Sequence, residues 1–343
     1  MPNIKNYQND NNKIVTDLLV TPFGGQSVNS EFEILTGSSI SFFANGFIPY
    51  TQYYNKNKDN HFSLIQEFKN NSYDTAYLTP WGPESYNSGE IYNKVFLIDK
   101  AIYKDQLHNP NVLRGVEKGD YLSDDVFINE IYEELKNTDE GKYKFIMSAS
   151  GQNHFPFYKD KYSEEEYVVN VVKSNYSKET TEMLRAYAQG VYDADRTLND
   201  LYLKIQQLDT PTIIVFFGDH LPYMTQKNGQ NEFISSKYFN TDDENVNEMR
   251  LHTTKGVILS NYDIDTDELN YINLNYLGAY VANKLDLNIS NYLKYVDSIR
   301  KEIPIFNRNI VYEDNKLVPI KNSISKDLTN YKIVQYYKFY DYK

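Results

Sequence analysis

Three stretches of this 343-residue chain place reactive side chains where apolar runs end. Ile213, Ile214, Val215, Phe216 and Phe217 lead into Gly218, Asp219, His220, Leu221 and Pro222. A carboxylate beside an imidazole can hold a divalent cation, because aspartate offers a hard oxygen and histidine a borderline nitrogen. The same pair would also suit an aspartate that caps the next helix and a histidine in the cavity wall. In the second stretch, Gly24, Gly25 and Gln26 precede Ser27, Val28, Asn29, Ser30, Glu31, Phe32 and Glu33. The glycines allow close backbone approach, and a helix starting near Asn29 to Phe32 would turn free N–H groups toward an anion. Ser27 is then either a nucleophile that needs a base or a metal to lower its pKa, or an N-cap in a glycine turn. The third stretch, Ser148 to Phe157, again follows an apolar run and contains Asn153 and His154. His154 could donate to a phosphate oxygen, protonate a leaving group, or be a polar wall residue. His61 and His108 lie in polar contexts and read as surface residues, and nothing assigns a role to His252.

The elements that must carry these residues can be read from the apolar pattern. Short runs bounded by polar or turn residues predict strands at Ile14 to Val20, Thr75 to Thr79, Tyr143 to Ser148, Thr212 to Phe217 and Gly256 to Ser260. Spacings of three and four predict helices at His61 to Lys69, Asp124 to Lys136 and Thr180 to Gln207. Ile40 to Phe43 is too short to assign. The alternation implies an α/β fold whose mostly parallel central sheet is flanked by helices, with ligands at the carboxyl ends of the strands. Lys159 to Glu179 and Met224 to Arg250 read as long polar loops, the second bordering the site because it follows Asp219 and His220. Ile310 to Val318 reads as a hairpin around Glu313, Asp314 and Asn315, followed by a Lys- and Tyr-rich tail. The expected organisation is a catalytic unit over residues 1–307 and a small C-terminal subregion over 308–343.

The net charge of −12 comes without a basic run, which argues against nucleic acid as a partner. The chain has no cysteine, which excludes disulfides, thiol catalysis and zinc–thiolate sites. No window approaches 18 consecutive apolar residues, and Met1 is followed by Pro2 and a polar stretch, so no span or export signal is visible. The 33 tyrosines are spread along the chain and read as amphipathic filler at the surface and core edge rather than as sugar platforms.

In this order, Gly24 to Gly37, Asn153 to Phe157 and Gly218 to Pro222 resemble the sulfatase-like phosphoglycerol transferases, the group that contains lipoteichoic acid synthase. Weaker agreement at Leu274 to Leu277 and Glu302 to Asn307 extends the likeness from about Pro22 to Asn307. The resemblance implies an alkaline-phosphatase/sulfatase-like sandwich. It puts Ser27 at the nucleophile position, where the family has threonine, makes Ser27, Asp219 and His220 metal ligands, and makes His154 a phosphate-binding residue. It also implies manganese or magnesium as the cofactor, a phosphatidylglycerol-type donor, a glycan or teichoic-acid-type acceptor, and a location on the extracellular face of a membrane.

Some positions depart from the family pattern. Thr79 stands where the family has a histidine, and Tyr86, Asn87 and Ser88 stand where it has Trp-Asn-Arg, so these substrate-binding positions lack the guanidinium fork. The family's further metal ligand, a glutamate on an upstream strand, has no counterpart; the expectation is that a segment ahead of Met1 supplies it together with the membrane anchor. A sulfate-ester hydrolase is disfavoured because Asn29 and Glu31 occupy the positions of its proline and arginine, and a phosphoethanolamine transferase because those usually carry disulfides. Two alternatives remain: a metal-dependent phosphodiesterase, and a degenerate fold that binds phosphorylated glycans or lipid head groups.

Overall fold

The computed structural model describes residues 1–7, 12–107, 117–265 and 269–340. In chain order the strands are β1 (Lys13–Leu19), β2 (Tyr73–Leu78), β3 (Lys100–Ile102), the pair β4 (Glu117–Lys118) and β5 (Tyr121–Leu122), β6 (Tyr143–Ser148), β7 (Ile213–Phe217), β8 (Thr253–Ser260), β9 (Tyr271–Asn273) and the hairpin β10 (Ile310–Glu313) and β11 (Lys316–Pro319). The helices are α1 (Pro2–Tyr7), α2 (Ser27–Thr36), the short α3 (Pro49–Gln52), α4 (Leu64–Asn70), the short α5 (Ser88–Glu90), α6 (Asp124–Lys136), α7 (Lys178–Ile205), α8 (Glu244–Leu251), α9 (Leu274–Lys284), α10 (Asn291–Glu302) and α11 (Lys326–Tyr340).

The expected α/β sandwich is formed, with its sheet in two parts. One has the order β3-β2-β6, all parallel, and the other the order β7-β8-β1-β9, in which β8 runs against β7 and β1 while β1 and β9 are parallel. Alternate side chains face opposite layers. Met147, Ile258, Phe145 and Val215 join a core with α2, α4 and α9, whereas Ile146 and Ile214 pack among residues of α6 and α7.

Helix starts are set by caps more than by periodicity. The Ser63 side chain accepts from Gln66 N, so α4 begins at Leu64 rather than at His61. Ser177 accepts from Thr180 N and starts α7 at Lys178. Met224 to Arg250 is not all loop: Asp243 accepts from Asn245 N and Val246 N and opens α8. Many tyrosines also go deeper than a core edge, since Tyr50, Tyr54, Tyr92, Tyr276, Tyr280 and Tyr331 are fully buried. After the hairpin, α11 folds back on the main core through Tyr331 and Phe339. Among the described residues, no helix is long and apolar enough to cross a membrane.

Candidate active site

The turn from β1 into α2 aims Ser27. Gly24 has φ +74°, and a Cβ there would lie 2.8 Å from Tyr223 Cβ, so glycine is needed both for the backbone conformation and for the approach of the loop after His220. Gly24 N donates to Leu221 O at 2.9 Å, and Ser30 Oγ donates to Asp219 O at 2.6 Å. The nucleophile turn and the Asp-His turn are thereby fastened together. Gln26 is left-handed at φ 67°, and Ser27 is the first residue of α2.

Ser27 Oγ lies 3.3 Å from His220 Nε2, which is 3.4 Å from Asp219 Oδ2. His220 Nδ1 is 3.0 Å from Leu221 O, an acceptor only, so the ring proton belongs on Nδ1 and the Nε2 lone pair faces Ser27 and Asp219. A hydroxyl, a carboxylate and an imidazole lone pair thus converge from two strand ends. This donor set suits a divalent cation as a partial cage. Among the described residues, no group of three or more His, Cys, Asp or Glu gathers anywhere to hold an ion. Among the described residues, Asp219, His220 and the Ser27 hydroxyl are the donors that the geometry offers to an ion here.

His154 borders the same cavity. Its Nδ1 is 2.8 Å from Phe155 O and 3.1 Å from Tyr121 Oη, and its ring sits 5.2 Å from both Trp81 and Tyr121. Burial holds this imidazole below its usual pKa, the neighbouring His220 and Lys161 add to the effect, and the Phe155 carbonyl and Asp219 oppose it. Thr79, Tyr86 and Ser88 also line the cavity. Asn87 does not; its amide donates to Asn55 Oδ1 at 3.0 Å. His61 is tied to Val95 O and His252 to Val20 O, both outside this cluster, and His108 lies outside the described residues.

Three further residues were not singled out from the sequence. The Lys161 side chain is fully buried, and its Nζ donates to His154 O at 2.6 Å and Pro156 O at 3.0 Å, fixing the His154 loop. Trp81 walls His154; as the chain's single tryptophan, two residues past Thr79, it carried a signal. Glu31, one turn beyond Ser27, is buried, and burial pushes its carboxyl up to about 7, with the Asp219 charge adding and the hydrogen bond from Tyr92 Oη at 2.7 Å opposing.

A split α/β sheet with Ser, Asp and His at its carboxyl edge and helices on both faces defines an alkaline-phosphatase-like fold. Residues 1–267 match the sulfatase family, and the chain belongs to that family. The structure is similar to the Streptococcus pyogenes phosphoglycerol transferase GacH in complex with sn-glycerol-1-phosphate, with a TM-score of 0.74 at 20% identity, covering 98% of this chain and 78% of that one. It is also similar to the Listeria monocytogenes lipoteichoic acid synthase LtaP, with a TM-score of 0.66 at 15% identity over 98% of this chain and 84% of that one. The zinc complex of the C-terminal periplasmic domain of Escherichia coli EptC gives a TM-score of 0.61 at 16% identity over 95% and 87%. At these identities the likeness is one of fold. In sequence, the chain is 30% identical over 225 residues to a Rhizobium meliloti (strain 1021) protein whose name assigns it provisionally to cyclic beta-1,2-glucan modification. That stretch is 65% of this chain and 32% of the relative, so the match spans about a third of the relative's length.

Proposed function

We propose that this protein transfers glycerol phosphate from a phosphatidylglycerol-type lipid to a hydroxyl of a cell-envelope glycan or polymer, with Ser27 as the nucleophile. The observation that carries the reading is His220 Nε2, which lies 3.3 Å from Ser27 Oγ and 3.4 Å from Asp219 Oδ2 in the turns that follow two strands. In the first step Ser27 Oγ forms a bond to phosphorus as the bond from phosphorus to the diacylglycerol oxygen breaks, and the serine proton ends on that oxygen. In the second, the acceptor hydroxyl attacks phosphorus, the bond to Oγ breaks, and the acceptor's proton returns to Ser27. A manganese or magnesium ion at Asp219, His220 and Ser27 would supply positive charge that lowers the hydroxyl pKa and offsets phosphate charge.

The chain's own residues handle the remaining tasks. His154, with Nδ1 committed to the Phe155 carbonyl, offers Nε2 as a donor to a phosphate oxygen when protonated. Trp81, Tyr121 and Phe155 pack around the ring and hold it in place. Thr79, Tyr86 and Ser88 offer hydroxyls along the cavity in place of a guanidinium. The working location is the outer face of a membrane.

The test is product analysis with phosphatidylglycerol and manganese, with and without a glycan acceptor. The expected result is glycerol phosphate on the acceptor and at least a hundredfold loss in Ser27→Ala. Release to water regardless of acceptor would make the protein a phosphodiesterase. No turnover and no metal dependence would make it a binder, a reading favoured by the absence of a third His, Asp or Glu beside Asp219 and His220 among the described residues.

A further inference from the structure

Of the chain's 18 phenylalanines, Phe155 is the one that the fold leaves exposed, at 45%. One face of its ring is covered, stacked on His154 with centroids 4.4 Å apart and planes 25° apart, and the remainder meets solvent. Trp81 and Tyr121 close other sides of His154, each 5.2 Å from it and 5.5 Å from one another, so the four rings form a shelf. Trp81, His154 and Phe155 line the active-site cavity, and His154 is near enough to Asp219 and His220 to feel both charges. The shelf is held stiffly: Tyr121 Oη donates to Phe155 O at 2.7 Å, and Lys161 Nζ donates to His154 O and Pro156 O. Along its edge stand Asp120 and Tyr158, whose Oη donates to Asp120 Oδ1 at 2.6 Å. Asp120 Oδ2 is 3.7 Å from Lys161 Nζ, longer than a hydrogen bond, and so keeps lone pairs for another donor.

We infer that this shelf is the acceptor subsite and takes a neutral hexopyranose chain, with a sugar ring stacked on the outer face of Phe155 and hydroxyls directed to Asp120 and Tyr158. The inference rests on the transfer reading for the role of acceptor, and on the shelf alone for the binding. A pyranose combines an apolar C–H face with a rim of hydroxyls, which matches a bare aromatic ring beside a carboxylate and a phenol. Charge decides against the other kind of acceptor, a poly(glycerol phosphate) strand. The charges beside the shelf cancel in pairs, Lys161 with Asp120 and Lys159 with Asp160 at 4.0 Å, and the Lys161 side chain is fully buried. A polyanion would therefore lie along Asp120 with both neighbouring cations already committed. A lipid acyl chain would cover Phe155 but strip water from Asp120 and offer no donor in return, whereas a sugar hydroxyl supplies that donor. Because His154 belongs both to the shelf and to the proposed phosphate site, a sugar seated on Phe155 abuts the group it would receive.

Trp81 is the chain's single tryptophan and lies 5.2 Å from His154, so its emission, excited beyond the tyrosine band, reports on the shelf. In the whole chain without a lipid donor, cellopentaose should give saturable binding by Trp81 emission and by titration calorimetry. It should bind at least tenfold more tightly than a glycerol phosphate oligomer of the same number of units. Phe155→Ala should weaken cellopentaose binding about tenfold and Phe155→Tyr should restore it, with the circular dichroism spectrum kept in both. The inference is overturned if neither method shows saturable cellopentaose binding, if the oligomer binds as tightly, or if Phe155→Ala binds the sugar like the parent chain. The transfer reading fails separately. A chain that releases glycerol phosphate from phosphatidylglycerol with manganese but ignores cellopentaose keeps that reading and loses the sugar shelf. A chain that binds cellopentaose through Phe155 but never turns over keeps the shelf and loses the transfer.

Discussion

With Nδ1 of His154 committed to the Phe155 carbonyl, the far nitrogen is a donor only in the imidazolium form. Burial holds the pKa below the usual histidine value, so the unliganded ring is neutral at pH 7. Binding a phosphodiester, a monoanion throughout this range, therefore draws in a proton, and affinity for glycerophosphoglycerol should fall as pH rises from 5 to 8. Titration calorimetry in two buffers of different ionisation enthalpy checks this. His154→Gln should weaken binding about tenfold at pH 5.5 and little at pH 8, and a pH-independent loss would remove the charge argument. Asp219 and His220 could be singled out because they directly follow the apolar run of β7, Ser27 because Gly24 and Gly25 precede a hydroxyl, and His154 because its loop follows β6. Lys161 could not, because its partners are the backbone carbonyls of His154 and Pro156, and no side-chain pattern announces a lysine that folds inward.

At the scale of elements, α2 has nine of its ten residues buried, from Val28 to Thr36, which gives the nucleophile a rigid mount. Its entry turn depends on Gly24. Gly24→Ala forces a left-handed φ on a residue with a Cβ and presses that carbon against Tyr223, at a cost of about 1–3 kcal/mol. Because the same turn is hydrogen-bonded to Leu221, the displacement should reach both Ser27 and His220. Turnover should drop by more than tenfold while the circular dichroism spectrum is kept; unchanged kcat/KM would show that the turn tolerates the shift. β6, β7 and β8 were legible because continuous apolar runs flanked by turns have few other readings. The three-residue strands β3 and β9 give no period, and α9 was hidden for the opposite reason: Leu274 to Ala282 are all buried, so no polar face marks the helical repeat.

At the scale of the molecule, the residues beyond 307 bear directly on the site's foundation. Gln335 Oε1 accepts from Ser39 N at 2.7 Å and its amide donates to Ser39 O at 2.9 Å, while Tyr331 Oη donates to Gly37 O at 2.6 Å. The half-buried Lys338 has its Nζ donating to Thr36 O at 3.0 Å and lying over the Phe62 ring at 3.3 Å. All of these close the carboxyl end of α2, whose other end carries Ser27. The sequence suggested a small subregion with a polar tail, because Lys and Tyr dominate its composition and the inward-facing Leu328, Tyr331, Gln335 and Phe339 recur only once per turn. We propose that residues 308–340 are a brace of the catalytic unit rather than an independently folding piece. Removing residues 326–343 takes away the buried Leu328, Tyr331 and Phe339 and the donors to the carbonyls at the end of α2, a loss on the order of 5 kcal/mol from burial alone. Calorimetry should show one transition in the whole chain and a lower, still single transition after removal, with turnover reduced at least tenfold below that transition. Two independent transitions in the whole chain, with the catalytic one unmoved by the deletion, would separate the tail from the site and leave α2 to hold Ser27 through its packing on α4 and α9.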